Sequence, residues 1–242
     1  MKFLPAAASL LFTAVAFAQE PAAQHSLRIL PLGDPPPFRQ EVKAGVRYEI
    51  PAPEGTVPPR EIMVASKIAT EEAPKEFPLR LRLGTATPPL MVPSPQDGKL
   101  AVKTAAGAPW VSIPLSQSSS TLALVWRTGK SWNEAARVFA LPDDTKEGEF
   151  RFINLTAKPM AVTWGDLKLK LNPATTMIQR MPDGKKAIPL TIQYPAPEGG
   201  LKPCFSTQVE KAAGTRQQFV IYVADGEKPK LPVKVLPLSD SI

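Results

Sequence analysis

The chain has 242 residues, among them 29 prolines, one cysteine and one histidine, and carries a formal charge of +7. Proline at roughly 12%, against about 5% in ordinary chains, excludes a largely helical protein, because each interior proline costs a helix about 3 kcal/mol. One histidine and one cysteine exclude blue copper, an intrachain disulfide and multi-cysteine zinc or iron–sulfur sites, while 43% hydrophobic and 21% charged residues fit a folded domain.

The N-terminus reads as an address. Met1-Lys2 is a minimal positive start, residues 3–17 are mostly apolar, and Ala16-Phe17-Ala18 is a small-residue exit. These parts make a signal peptide over residues 1–18, cleaved before Gln19. The run is too short for a membrane span, which needs about 20 residues, and no other stretch approaches that length. Residues 19–242 are therefore expected in the periplasm, on the cell surface or outside the cell, with a formal charge of +6 once Lys2 is removed.

Downstream, residues 26–30 and 47–50 read as short strands, separated by a proline-rich connection and followed by the rigid turn at 51–55. Residues 61–68 form a strand, and 70–76 have room for one helical turn. Leu79, Leu81 and Leu83 alternate with Arg80 and Arg82, the pattern of a half-buried strand. After a proline-rich break at 88–97, residues 99–104 and 110–115 are strands, 116–120 is a polar, flexible serine run, and 121–127 is a strong strand. Ser131-Trp132-Asn133-Glu134 has capping-box spacing, but 137–141 reads better as a strand. An acidic turn at 143–149 leads to a strand at 150–155. Residues 161–164 and 167–171 flank Gly165-Asp166, a two-residue hairpin turn with glycine first. Ile188, Leu190, Ile192 and Tyr194 alternate cleanly. Residues 205–211 and 217–223 suggest a hairpin around Gly214, and 231–236 closes the chain. A dozen strands with frequent turns predict an all-β fold, an antiparallel β-sandwich of immunoglobulin-like architecture, as one domain or two β subdomains.

Two echoes bear on that choice. Pro-Ala-Pro-Glu-Gly occurs at 51–55 and 195–199, and Leu-Pro-Leu-Gly-Asp at 30–34 resembles Leu-Pro-Leu-Ser-Asp at 236–240. Duplication is one explanation, with a seam at 116–120; reuse of turn chemistry in a proline-rich chain is the other.

Chemistry is sparse. There is no glycine-rich phosphate loop and no Gly-x-Ser-x-Gly elbow. His25, close to the mature N-terminus, is expected to be solvated. The acids sit mostly in turns, as at Asp97-Gly98, Asp183-Gly184 and Asp225-Gly226. Asp143, Asp144, Glu147 and Glu149 offer oxygen ligands for calcium, but the intervening Lys146 and the spacing favour a plain acidic turn. No catalytic residue, metal site or cofactor is assigned. Cys204 reads as a buried thiol, although in a strand it would share the more polar face with Ser206 and Gln208; an interchain disulfide is the alternative. Trp126 and Trp164 are in phase with apolar neighbours. Trp132, among polar turn residues, is the best exposed ring for stacking on a ligand. Arg80 with Arg82, and Lys168 with Lys170, are basic pairs suited to a polyanionic or glycan ligand. Aromatic–basic interleaving of the kind that reads RNA is missing, and export makes nucleic acid improbable.

Glu149-Phe150-Arg151-Phe152-Ile153-Asn154-Leu155-Thr156, followed by Pro159 and Val162-Thr163-Trp164-Gly165 and preceded by 138–143, resembles a strand-pair pattern in uncharacterised secreted proteins of Akkermansia-like Verrucomicrobia. It covers about a third of the chain. The resemblance implies a cell-envelope β-sandwich without catalysis and, as one setting, a type IV pilus system; it carries no functional residue across. The expectation is thus an exported, non-enzymatic protein whose partners are envelope or surface proteins, with a carbohydrate-binding module or a secreted hydrolase as alternatives.

Overall fold

The computed structural model describes residues 23–67, 75–134, 136–226 and 228–241, which leaves the predicted signal peptide and most of the predicted helical turn at 70–76 outside the described residues. Within them the chain forms strands and no helix. The first are β1 (Gln24–Leu32), β2 (Arg39–Lys43), β3 (Val46–Ile50), β4 (Glu61–Ser66), β5 (Lys75–Arg80), β6 (Leu90–Pro93), β7 (Lys99–Thr104), β8 (Pro109–Pro114), β9 (Ser120–Arg127) and β10 (Ala136–Pro142). Then come β11 (Glu149–Asn154), β12 (Met160–Trp164), β13 (Leu167–Leu171), β14 (Thr175–Arg180), β15 (Ala187–Pro195), β16 (Leu201–Glu210), β17 (Thr215–Val223) and β18 (Val233–Ser241).

Four sheets stack in sequence. Sheet I has the order β5-β4-β7-β8, sheet II β10-β9-β1-β6, sheet III β14-β11-β17-β18 and sheet IV β13-β12-β15-β16. Because side chains alternate across a strand, each inner strand serves two cores. In β1, Leu27 and Ile29 join Val64, Val102, Ile113 and Val125 between sheets I and II. Leu30 and Leu32 turn the other way, to meet Leu124, Ile153 and Val220 between sheets II and III. In β11 and β17, Phe150, Phe152, Phe219 and Ile221 face Val162, Trp164 and Ile192 of sheet IV. Strands covered on both faces need near-continuous apolar runs, which accounts for the run from Leu122 to Val125.

The expected all-β fold is therefore present as two packed sandwiches, and they share one topology. Replacing β1 by β11, β4 by β12, β5 by β13, and so on to β10 by β18, converts sheets I and II into sheets IV and III with every neighbour preserved. Each unit even keeps its single parallel pair, β1 with β9 and β11 with β17. Only β2 and β3 lack a counterpart. The boundary lies between β10 and β11, at residues 143–148, rather than at the serine run. Residues 116–120 instead link β8 to β9 within the first unit, and their hydroxyls bond within the loop, Ser116 Oγ and Ser118 Oγ each donating to the Ser120 carbonyl at 2.7 Å.

The echoes that hinted at duplication occupy non-equivalent places, since residues 51–55 precede β4 whereas 195–199 follow β15. Aligning the units on Leu27-Arg28-Ile29-Leu30 and Phe150-Arg151-Phe152-Ile153 makes Val138 to Asp143 equivalent to Val235 to Asp240 through the strand registers. The equivalent aspartates meet between the sandwiches. Arg28 donates to both oxygens of Asp240 at 2.7 and 2.8 Å and reaches Asp143 at 3.3 Å, while Arg216 lies 3.0 Å from Asp143. The predicted hairpin around Gly214 is not formed. β16 pairs with β15 in sheet IV, and β17 crosses to sheet III.

Candidate functional site: the β2–β3 hairpin

Between β1 and β4, where the second unit has only a short connection, the first unit extends a two-stranded arm. Lys43 pairs with Val46 across Ala44-Gly45, whose φ values of 51° and 79° are both left-handed. That is the type I′ geometry whose twist matches the flanking strands. The register runs Arg39 to Ile50, Gln40 to Glu49, Glu41 to Tyr48 and Val42 to Arg47. One face thus carries Val46, Tyr48 and Ile50 with Arg39, Glu41 and Lys43; the other carries Val42, Arg47 and Glu49 with Gln40.

This arm contributes nothing to the three cores. Phe38 is 68% exposed, Val42 66%, Val46 53% and Tyr48 49%. No strand among the described residues pairs with the outer edge of β2 or β3. A lone hairpin is only marginally stable in water, and open edges invite another strand. Exposed apolar side chains gathered on such an arm are the chemistry of a protein contact.

The residues expected to form a site lie elsewhere and do not converge. Trp132 is corrected from an exposed ring to a buried one, 1% accessible and part of the core between sheets I and II. Its backbone N–H donates to the Gly55 carbonyl at 2.8 Å, so the 131–134 turn folds inward and plugs the sandwich with the indole, leaving Asn133 and Glu134 outside. Trp110 packs against it with ring centroids 6.3 Å apart and donates from Nε1 to the Trp132 carbonyl at 3.0 Å. Trp110 in turn lines a shallow groove of about 670 Å³ with Arg60, Glu61 and Asn133. Arg80, at the end of β5, is exposed and 3.2 Å from Glu61. Arg82 is exposed beyond the strand, in a bridge to Thr85. Lys168 and Lys170 project from β13, the edge of sheet IV, at the opposite end of the stack from Arg80 and Arg82.

His25 is corrected as well. It is buried in β1, with Nε2 2.8 Å from Thr121 Oγ1, and burial pulls its pKa below the ordinary value. Cys204 is half-buried. Pro203 pairs with Gln193 and Phe205 with Ile192, which leaves Cys204 as the extra residue of a β-bulge. The bulge breaks the alternation, so Cys204 and Phe205 both pack toward the core between sheets III and IV. Burial pushes the thiol to about 11, leaving it neutral and a poor nucleophile. It borders a groove of about 720 Å³ together with Asp34, Tyr222, Lys228, Lys230 and Lys234.

Three of the turn acids, Asp143, Asp144 and Asp225, are engaged beyond their turns, whereas Asp97 bonds only the Lys99 N–H of its own turn. Asp225 accepts from the Asp34 backbone N–H at 2.5 Å and from Arg127 Nε at 2.6 Å. Asp34 accepts from the Gly226 N–H at 2.8 Å and pairs with Lys234. This reciprocal clasp fastens the end of β1 to the end of β17. Asp144 is held by Arg151 at 2.8 Å, and Glu149 by Arg180 at 2.7 Å, a bond that holds the Glu149 carboxyl below the usual range. Among the described residues no cluster of three His, Cys, Asp or Glu has metal-binding geometry, and no helix is long and apolar enough to cross a membrane.

The hairpin residues Val46, Tyr48 and Ile50 did not stand out in the sequence. Their period-2 pattern is legible, but β2 opposite them is rich in charge and shows no apolar alternation, and alanine stands where asparagine is usual at the turn. Compared with known proteins, the chain matches no family model and none of the curated proteins.

Proposed function

We propose an exported, non-enzymatic protein of a bacterial envelope or surface that works through protein–protein contacts made by the β2–β3 hairpin. The observation that carries this reading is the set of exposed apolar side chains, Phe38, Val42, Val46, Tyr48 and Ile50, on an arm that no other strand among the described residues covers. The two aspartates between the sandwiches support it from the other side. Asp143 and Asp240 are neutralised by Arg28 and Arg216 between two sandwiches, an arrangement that fastens structure. The signal-peptide pattern supports export, and the resemblance described above supplies the setting, assembly of an envelope structure such as a pilus.

A photoreactive amino acid at position 48, incorporated in the cells that make the protein, tests this. The expected result is a covalent adduct with an identifiable polypeptide at position 48 and none at position 168 on the outer sheet. Equal yields at both positions, or none at either, would refute the hairpin as the working surface.

The Trp110 groove favours a second reading, carbohydrate binding, because an aromatic ring beside Arg60, Glu61 and Asn133 offers both stacking and polar contacts to a sugar. Saturable binding to a glycan panel that Trp110→Ala abolishes would establish it in place of the hairpin.

A further inference from the structure

The geometry points to a second copy of this chain as the occupant of the β3 edge, joined antiparallel about a two-fold axis through Tyr48. The inference rests on the hairpin being the contact surface and names its partner.

The argument starts from which backbone groups are free. In a two-residue hairpin the pair flanking the turn exchanges both ladder bonds, and the pattern alternates from there. Lys43 with Val46, Glu41 with Tyr48, and Arg39 with Ile50 are then the bonded pairs. The N–H and C=O groups of Arg47 and Glu49 point outward, toward an edge at which no described strand pairs. A β-strand addition must use those two residues.

An antiparallel partner of identical sequence has three ways to use them. Centring the axis on Arg47 sets Arg47 against Arg47. Centring it on Glu49 sets Glu49 against Glu49 and brings Pro51, which has no N–H, opposite Arg47. Centring it on Tyr48 sets Arg47 against Glu49 of the second copy, twice. The first two place like charges directly opposite, which is destabilising, and the third pairs opposite charges. The same register puts Val46 opposite Ile50 and Tyr48 opposite Tyr48, at a non-hydrogen-bonded position where side chains approach closely. Val46, Tyr48 and Ile50 from both copies then form one apolar stripe along the middle of a four-stranded sheet, bordered on each side by Arg39, Glu41 and Lys43. On the β2 edge an axis through Gln40 also sets opposite charges together, Arg39 against Glu41, but it leaves the stripe of Val46, Tyr48 and Ile50 at an open edge, and charge changes at 47 and 49 would not touch it, so the variants below tell the two edges apart.

Such a ladder is short. It buries less than the roughly 1,200–2,000 Å² of a standard interface, so the dimer is weak and concentration-dependent.

Sedimentation equilibrium of the purified exported protein over a range from about 1 µM to 1 mM is the test, with charge variants as its arms. Arg47→Glu and Glu49→Arg each oppose like charges twice, and each should weaken dimerisation about tenfold or more. Neither change disturbs the hairpin itself, because Arg47 faces Val42 and Glu49 faces Gln40 within it. The double variant, Arg47→Glu with Glu49→Arg, restores opposite charges and should dimerise like the wild type. An equal mixture of the two single variants should form the heterodimer although neither forms a homodimer. A wild type that stays monomeric to 1 mM, single variants that dimerise as well as the wild type, or a mixture that stays monomeric would overturn the inference. A monomeric wild type that still gives the position-48 adduct with a different polypeptide in cells sinks the second copy alone; loss of both sinks the hairpin reading as well.

Discussion

His25 spans the distance between a sequence position and its physical environment. It stands seven positions into the predicted mature chain, yet β1 begins at Gln24 and carries it under Thr121, 96 positions away. Distance from a terminus predicts fraying only when no distant strand claims the segment, and β9 could not be recognised as the partner of β1 from local pattern. Burial holds the imidazole neutral, with its pKa below 6.5. The unfolded chain therefore binds more protons as pH falls below 6.5, so the His25 contribution to stability is complete above that value and is lost as pH drops toward the folded pKa. Wild type should lose melting temperature between pH 7.5 and 5 more steeply than His25→Gln, in which an amide nitrogen replaces Nε2 beside Thr121. Thermal scans at both pH values decide it; parallel curves would show that His25 does not titrate with unfolding. Glu149 and Asp240, whose carboxyls are held low, act on both proteins alike and at more acidic pH.

At the scale of elements, alternation was a good guide where one face meets water. Residues 167–171 and 188–194 show their strands in the sequence because sheet IV is an outer layer. The turn Gly165-Asp166 also holds, with Gly165 at φ 60°. Pairing was harder. Consecutive strands are usually neighbours, which is why residues 205–211 and 217–223 looked like a hairpin, but β16 ends sheet IV and β17 must reach the middle of sheet III. β6 and β14 were hidden by prolines and by polar residues suited to a solvated edge. The hairpin gives the prediction that belongs here. Replacing residues 40–49 by an Asn-Gly turn joins Arg39 to Ile50, which already lie opposite each other. Since the excised side chains fill no core, the melting temperature should stay within about 2 °C of wild type, corresponding to less than about 0.5 kcal/mol. A drop of 8 °C or more in calorimetry would show that the arm braces the fold.

The whole molecule is one architecture written twice in different residues. Its periodic face patterns were legible; its duplication was not, because equivalent positions share burial more often than identity and the few identities, such as Arg28 with Arg151 and Asp143 with Asp240, are scattered. Arg28 matches Arg151, Trp126 matches Tyr222, and Leu122 matches Gln218. The last pair is the informative mismatch. Gln218 is fully buried between sheets II and III, and neither its amide nitrogen nor its oxygen has a partner among the described residues, whereas Leu122 in the other unit packs its side chain there. An unpaired buried amide costs about 1–3 kcal/mol. Gln218→Leu should therefore raise stability by about 1–2 kcal/mol, read as a shift in urea midpoint with unchanged slope. A lower midpoint would mean that the amide has a role in joining the sandwiches.

The salt link from Arg28 to Asp240 joins residues 212 positions apart, and so sets a timetable. A chain made at about 5–20 residues per second completes its first strand some ten to forty seconds before the last strand exists. During that interval the first sandwich can assemble its inner core, but one face of β1 still waits for sheet III, with a guanidinium whose partners have not all been made. Non-local pairing of this kind slows folding and leaves apolar surface open meanwhile. β18 is thus made long after the strand it locks, and a ribosome that stops short of β18 would release a chain in which Arg28 lacks Asp240.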